Sequence, residues 1–328
     1  MKPEPLFIFS QPRAGSTLLQ KMLMAHPEME SIAEPWLLLP MLYATKADGL
    51  MAEYNQEASS QAISEFVESL PNKQDDYLAA IADWAQGLYE KGCKGRPVYF
   101  IDKSPRYYLV LPEIIRAFPA AKFIFLFRNP LSVYSSILKT WCQGRFLYQH
   151  TFMQDINTAP VLLVEALNSI SEDRRLHVNY EQLVLAPEQV LSDICEYLGL
   201  GYTEQMLKQY SVQDLRGSLG DKWGNKQYSG VASASIEKWI TSFDSWYRVK
   251  VAQAYIERLG DDTLSAMGYS KNKLLGELKV EATHKIGIRD MLDYVISECF
   301  RRLNGEFFVR MWKDRNSTDK KLKYRIYK

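Results

Sequence analysis

The stretch Leu6-Phe-Ile-Phe-Ser-Gln-Pro-Arg-Ala-Gly-Ser-Thr-Leu-Leu19 decides the fold. An apolar strand runs into a Pro-Arg-Ala-Gly-Ser-Thr turn and then into a helix. Amides left unpaired at a helix start, with the positive end of the helix dipole behind them, hold an anion, and Gly15 lets the chain wrap closely around it. A loop built for a nucleoside triphosphate ends Gly-Lys-Ser/Thr, its Lys reaching the terminal phosphates and its hydroxyl holding Mg²⁺. Here Arg13 precedes the only glycine of the turn and no Lys follows. The loop is an oxyanion cradle that is not built for ATP.

Outward from this loop the chain alternates short apolar strands with longer helical patterns. The first helix is expected from roughly Ser16 to Ala25 and stops at His26-Pro27, because the residue before a proline avoids the helical region. Residues 36–90 read as several helices, with QAISEFVESL and DDYLAAIADWAQGLYE both apolar at helical spacing. Further strands are expected at Val98–Asp102, Lys122–Phe127 and Leu176–Tyr180. Helices are expected from Lys103-Ser104-Pro105 to about Phe118, at Leu131–Trp141 behind Pro130, and at Pro187–Leu198. The unbroken KFIFLF run suits a strand covered on both faces. The class is therefore α/β, a parallel sheet flanked by helices, with ligands beyond the carboxyl ends of the strands. Arg13, Lys103 and Arg128 all fall at those ends.

The 328 residues, 47% hydrophobic and 24% charged, suffice for a full α/β core. We expect a main domain over residues 1–270, with a helical acceptor-side insertion near 36–90, and a helical, basic extension over 271–328. A net charge of +1 gives no global pull toward nucleic acid. The four cysteines are far apart and form no Cys-x-x-Cys pair, which suggests neither a zinc site nor a disulfide framework. No signal-peptide pattern and no long apolar run is seen, so the expected location is cytoplasmic.

A second anion site is expected at Arg128-Asn129-Pro130, with Ser136 eight residues beyond Arg128. The Arg can fork onto a phosphate and the Ser can add a hydroxyl to the same group. A nucleotide hydrolase would place an Asp for Mg²⁺ near this strand end, which counts against a nucleotide or small-molecule kinase. The competing reading of Arg128 is a cap on the sheet edge or a pair with a surface carboxylate.

Four segments in order, PRAGSTLL, DKSPRY, FRNPLSVYSS and VNYEQLVLAPEQVL, resemble the motifs of the PAPS-dependent sulfotransferases, PAPS being 3′-phosphoadenosine-5′-phosphosulfate. The resemblance runs from about Pro5 to Tyr269. It is nearest to the Pro-Arg-x-Gly-Ser/Thr-Thr type of protein-tyrosine sulfotransferases and many bacterial members. It implies a P-loop-like sheet and transfer of the sulfuryl group of PAPS to a hydroxyl, less readily an amine, on a small-molecule, glycan or lipid-linked acceptor. By the same resemblance Arg13, Ala14, Gly15, Ser16 and Thr17 hold the 5′-phosphosulfate, and Arg128 and Ser136 the 3′-phosphate. Tyr180 helps to seat the nucleotide, and Lys238 in SIEKW contacts it. Leu219–Ser229 would close over the nucleotide, although it departs from the family's pattern. A noncatalytic module that keeps only the nucleotide site is the rival reading, which retained Glu34 and Lys103 oppose.

A transferring sulfuryl group carries less charge than a phosphoryl group, so fixed cations and hydrogen-bond donors can suffice and no metal is expected. Arg13 and Lys103 are the cations expected near the bridging oxygen, with an ion pair to Asp102 as the alternative for Lys103. The acceptor hydroxyl needs a general base. In the tyrosine-sulfating relatives a catalytic Glu follows the loop Arg at the spacing of Glu34, with a similar His-Pro between, so the resemblance assigns Glu34. The alternative is a Glu capping the helix that begins near Pro35. Among the histidines, His150 is the rival base. Trp36, Tyr43, Trp84, Trp141 and Tyr148 flank the inferred site and are either pocket lining or core.

Beyond the resemblance, Ile288, Leu292, Val295, Ile296, Cys299 and Leu303 recur at helical spacing with charges opposite. An apolar-aromatic and then strongly basic run follows to Lys328. Residues 305–328 either contact an anionic membrane surface or end a helix docked on the main domain.

Overall fold

The computed structural model describes residues 2–50, 52–213, 215–216, 236, 238–280 and 285–303. Five parallel strands form one sheet in the order β2-β3-β1-β4-β5: β1 (Glu4–Ser10), β2 (Met29–Ser31), β3 (Tyr99–Asp102), β4 (Lys122–Phe127) and β5 (Arg175–Asn179). With β1 central and the chain crossing to opposite sides of it, the crevice at its C-terminal end is a topological switch point. The Pro12–Thr17 turn lies at that end.

The apolar runs of β1 and β4 are explained by cover on both faces. On one face Phe7, Phe9, Phe100, Phe123, Phe125 and Phe127 form an aromatic layer. It packs on α4 (Gln74–Gly92), α5 (Leu111–Ala117) and α7 (Ala159–Ser169). On the other, Leu6, Ile8, Ile101, Ile124, Leu126 and Val178 form an aliphatic layer under α1 (Ser16–Met24) and α9 (Pro187–Leu198). The insertion expected near 36–90 holds α2 (Leu38–Tyr43), α3 (Gln56–Glu68) and α4. Pro130 opens α6 (Pro130–Thr140) at its first position, where its missing N–H costs nothing.

Three elements differ from expectation. β2 was not anticipated: it has three residues with Glu30 at its centre, too short and too polar to read as a strand. The helix expected after Pro105 begins as a 3-10 segment, Pro105–Val110, before α5. The strand expected to end at Tyr180 ends at Asn179, and Tyr180 opens a short helix, α8 (Tyr180–Leu185).

The C-terminal helices are α10 (Gln205–Lys208), α11 (Trp246–Ala266), which kinks at Gly260, α12 (Lys271–Val280) and α13 (Ile288–Arg302). Leu274 and Leu278 of α12 are buried in one cluster with α6 and α11. α13 docks in the inverted sense, through its charged face. Asp293 takes a bidentate pair from Arg145 (2.9 and 2.7 Å), Asp290 accepts from Arg248 (2.8 Å), and Ser297 Oγ accepts the His150 amide (3.1 Å). The Arg145 guanidinium holds the Asp293 carboxyl below the usual range. The apolar stripe faces outward. Among the described residues no helix is long and apolar enough to cross a membrane.

Candidate active site

The turn after β1 is strained into shape. Arg13 and Gly15 both have positive φ, 69° and 98°. A Cβ on Gly15 would stand 2.4 Å from the ring carbons of Tyr180, so only glycine satisfies both the backbone and the ring. Tyr180 is placed there because it opens α8 directly after β5. The Arg128 guanidinium, leaving β4, stacks 4.2 Å over the same ring and donates from Nη1 to the Arg13 carbonyl (3.2 Å). Arg13 Nε donates to Ser136 Oγ on α6 (3.2 Å). Arg13, Gly15, Arg128, Ser136 and Tyr180 therefore meet in one crevice, and Arg128 caps no sheet edge. The Asn129 side chain caps α6 at Leu131 N (2.9 Å), while the Asn129 backbone N–H donates to Glu181 (3.0 Å), which in turn accepts from Tyr269 OH (2.5 Å). These supports fix the direction of Arg128.

On the other side of the loop, Lys103 Nζ donates to Glu34 Oε1 (2.8 Å) and lies 3.4 Å from Thr17 Oγ1. Lys103 is 1% exposed and the Glu34 side chain 12%. Trp36 Nε1 donates to the second Glu34 oxygen (3.1 Å), and the Trp36 amide donates to Ser104 Oγ (3.1 Å). Glu34 stands on the loop between β2 and α2 and caps no helix; α2 has no side-chain cap. The carboxylate is thus oriented by a cation, an indole and a loop pinned to the segment after β3.

The neighbour of Lys103 is held by other means. Asp102, fully buried, accepts from Tyr89 OH (2.5 Å) and Tyr107 OH (2.9 Å), with Ser104 Oγ at 3.5 Å. Burial outweighs these donors and pushes its pKa up to about 6. The folded state therefore retains a proton that the unfolded chain releases near the ordinary value of 3.8. The stability this contributes is fullest below that value and is lost as pH rises through about 6. At about 1.4 kcal/mol per pKa unit, up to ~3 kcal/mol is involved. Denaturant titrations of wild type and Asp102→Asn should show a stability difference that changes by this order between acid and neutral pH, the wild type losing ground as pH rises. A pH-independent difference refutes the assignment.

Asp155, on a π-helical turn at Gln154–Thr158, is a second buried anchor. It takes Arg106 in a fork (3.2 and 2.9 Å) and Tyr108 OH (2.8 Å), and its carbonyl accepts from Gln11 of the loop (3.1 Å). Sequence reading missed Asp102, Asp155, Glu181 and Tyr269 as positioning residues. The hint was DKSPRYY itself, whose Asp, Arg and two Tyr all enter these networks.

Lys238 is exposed, and its carbonyl accepts from Lys139, three residues beyond Ser136 on α6 (3.3 Å). His150 turns its ring to Phe300 of α13 (4.7 Å), and His26 bridges Gly201 O and the Glu28 amide. Tyr43 and Trp36 pack against the aromatic layer, whereas Trp84, Trp141 and Tyr148 are exposed. Leu219–Ser229 and His284 lie outside the described residues.

The Pro12–Thr17 turn, the Arg128–Tyr180 stack and the Lys103–Glu34 pair thus stand together at the C-terminal ends of the strands. Residues 5–204 match the model of the sulfotransferase family. Nodulation protein NoeE of Sinorhizobium fredii (strain NBRC 101917 / NGR234) is 28% identical over 300 residues, covering 83% of this chain and 68% of that protein. Protein-tyrosine sulfotransferase A of Caenorhabditis elegans is 26% identical over 290 residues, covering 86% and 74%. The solved sulfotransferase domain of the Synechococcus PCC 7002 olefin synthase superposes with a TM-score of 0.51 at 27% identity, covering 73% of this chain and 88% of that one. The chain belongs to the sulfotransferase family.

Proposed function

We propose that this protein moves the sulfuryl group of PAPS to a hydroxyl acceptor, with Glu34 as general base and Arg13 and Lys103 as the cations that stabilise the leaving group. One observation carries the reading: a carboxylate paired to a buried lysine stands beside a two-arginine cradle, each on a separate strand end of the same crevice. The cradle suits an anionic nucleotide, since Arg13, Arg128 and Ser136 converge beside the helix start that follows Gly15.

PAPS, when bound, supplies an activated sulfuryl group on an anionic leaving group. The amides of Gly15 to Thr17 and the Arg13 side chain would hold its 5′ end, and Arg128 and Ser136 its 3′-phosphate. Glu34 takes the proton of the attacking hydroxyl. Lys103, no longer neutralising that carboxylate once it is protonated, would be available to stabilise negative charge on the leaving group. Holding both partners in line supplies much of the remaining acceleration.

Calorimetric titration with adenosine 3′,5′-bisphosphate in EDTA tests the donor site. Binding is expected without Mg²⁺, and Arg128→Ala should weaken it about 100-fold, the effect of losing a charge-assisted fork. Binding that requires Mg²⁺, or that ignores Arg128→Ala, overturns the reading. Transfer of labelled sulfate from PAPS to a mixed acceptor library then tests the reaction.

A further inference from the structure

α13 presents to solvent the face that an amphipathic helix ordinarily buries. Ile288, Met291, Leu292, Val295, Ile296 and Leu303 are between 42% and 71% exposed, on the side of the helix opposite the docked Asp290, Asp293 and Ser297. Ile286, just before the helix, is 65% exposed and adds to the patch. Because Arg145 and Arg248 clamp the charged face with two Asp pairs, the stripe cannot roll inward without breaking both. A stripe of this length held outward is an interaction surface.

The charge around it selects the partner. At the end of α13, Arg302 lines a groove of about 680 Å³ with Arg258 and His150, while Arg301, also on its wall, is paired with Glu298 (2.8 Å). Directly after the helix, residues 304–328 hold eight Lys and Arg against three Asp and Glu; elsewhere the chain has 32 against 36. The positive excess of the whole chain thus follows the exposed stripe in the sequence. A second copy would carry the same excess, and like charges repel. An anionic lipid surface instead takes both features at once, apolar side chains at the acyl boundary and Lys and Arg among the headgroups.

We propose that α13 and the basic tail seat this protein on an anionic membrane surface, with α13 lying in the interface. The proposal does not depend on the donor assignment, and its test is read separately. The full chain is sedimented with phosphatidylcholine vesicles and with vesicles carrying about one-third phosphatidylglycerol, at low and high salt. Binding is expected to the anionic vesicles alone and to fall about tenfold at high salt. The double substitution Leu292→Glu/Ile296→Glu should cut vesicle binding at least about tenfold. Both positions are more than half exposed, so adenosine 3′,5′-bisphosphate binding and the unfolding midpoint are expected to stay unchanged. Three results each overturn the proposal: no binding of the wild type to anionic vesicles, equal binding by the double variant, or a wild-type dimer in light scattering that the double substitution dissociates.

Discussion

Replacing Glu34 with Gln is expected to lower turnover by about 10²–10⁴-fold, the usual range for losing a general base. Affinity for adenosine 3′,5′-bisphosphate should hardly change, because the nucleotide's proposed contacts lie on β1, β4 and β5 while Glu34 follows β2. The substitution also leaves Lys103, 1% exposed, without its carboxylate. A stability loss of about 1–3 kcal/mol should therefore accompany it, since an amide oxygen only partly replaces a charged acceptor. Single-turnover kinetics at a temperature where the variant is fully folded separates the two effects. Equal turnover in wild type and variant would sink the assignment of Glu34 as base.

Gly15→Ala should be nearly as damaging, by a different route. An alanine at φ 98° pays for a left-handed backbone, about 1–2 kcal/mol. Its Cβ would also fall 2.4 Å from Tyr180, so the ring must leave. Because Arg128 stacks on that ring and donates to Arg13, the displacement passes to both arginines. Nucleotide affinity is expected to fall by about 100-fold or more, equivalent to losing one charged anchor. Trimming the ring with Tyr180→Leu should recover part of the folding stability of Gly15→Ala without recovering affinity. An unaltered titration curve for Gly15→Ala would show that the crevice is not the nucleotide's seat.

Much of this site was legible because its parts are local signals. PRAGSTLL carries a strand end, a glycine with positive φ and a helix start within one short stretch, and RNP carries an arginine at a strand end before a first-turn proline. What escaped had long-range causes. β2 exists because Met29–Ser31 finds β3 as a partner 70 residues on, and its middle residue is polar. Tyr89 reaches Asp102 from the insertion, and Tyr269 reaches Glu181 from the far end of the body. Lys103 was expected to choose between its neighbour Asp102 and the donor; its hydrogen-bonded carboxylate is Glu34, brought from another strand. The spacing of Ile288 to Leu303 reveals a two-faced helix, but not which face docks. Two arginines on separate segments decide that.

The order of the strands has an evolutionary consequence. The proposed base and its loop follow the edge strand β2 and border the 38–92 helices, whereas the proposed nucleotide contacts follow β1, β4 and β5. On the proposed reading, descendants of this scaffold can trade one flank for another and acquire new molecules to modify, while the opposite flank keeps its ancestral donor. Diversity and inheritance are assigned to different margins of a single sheet.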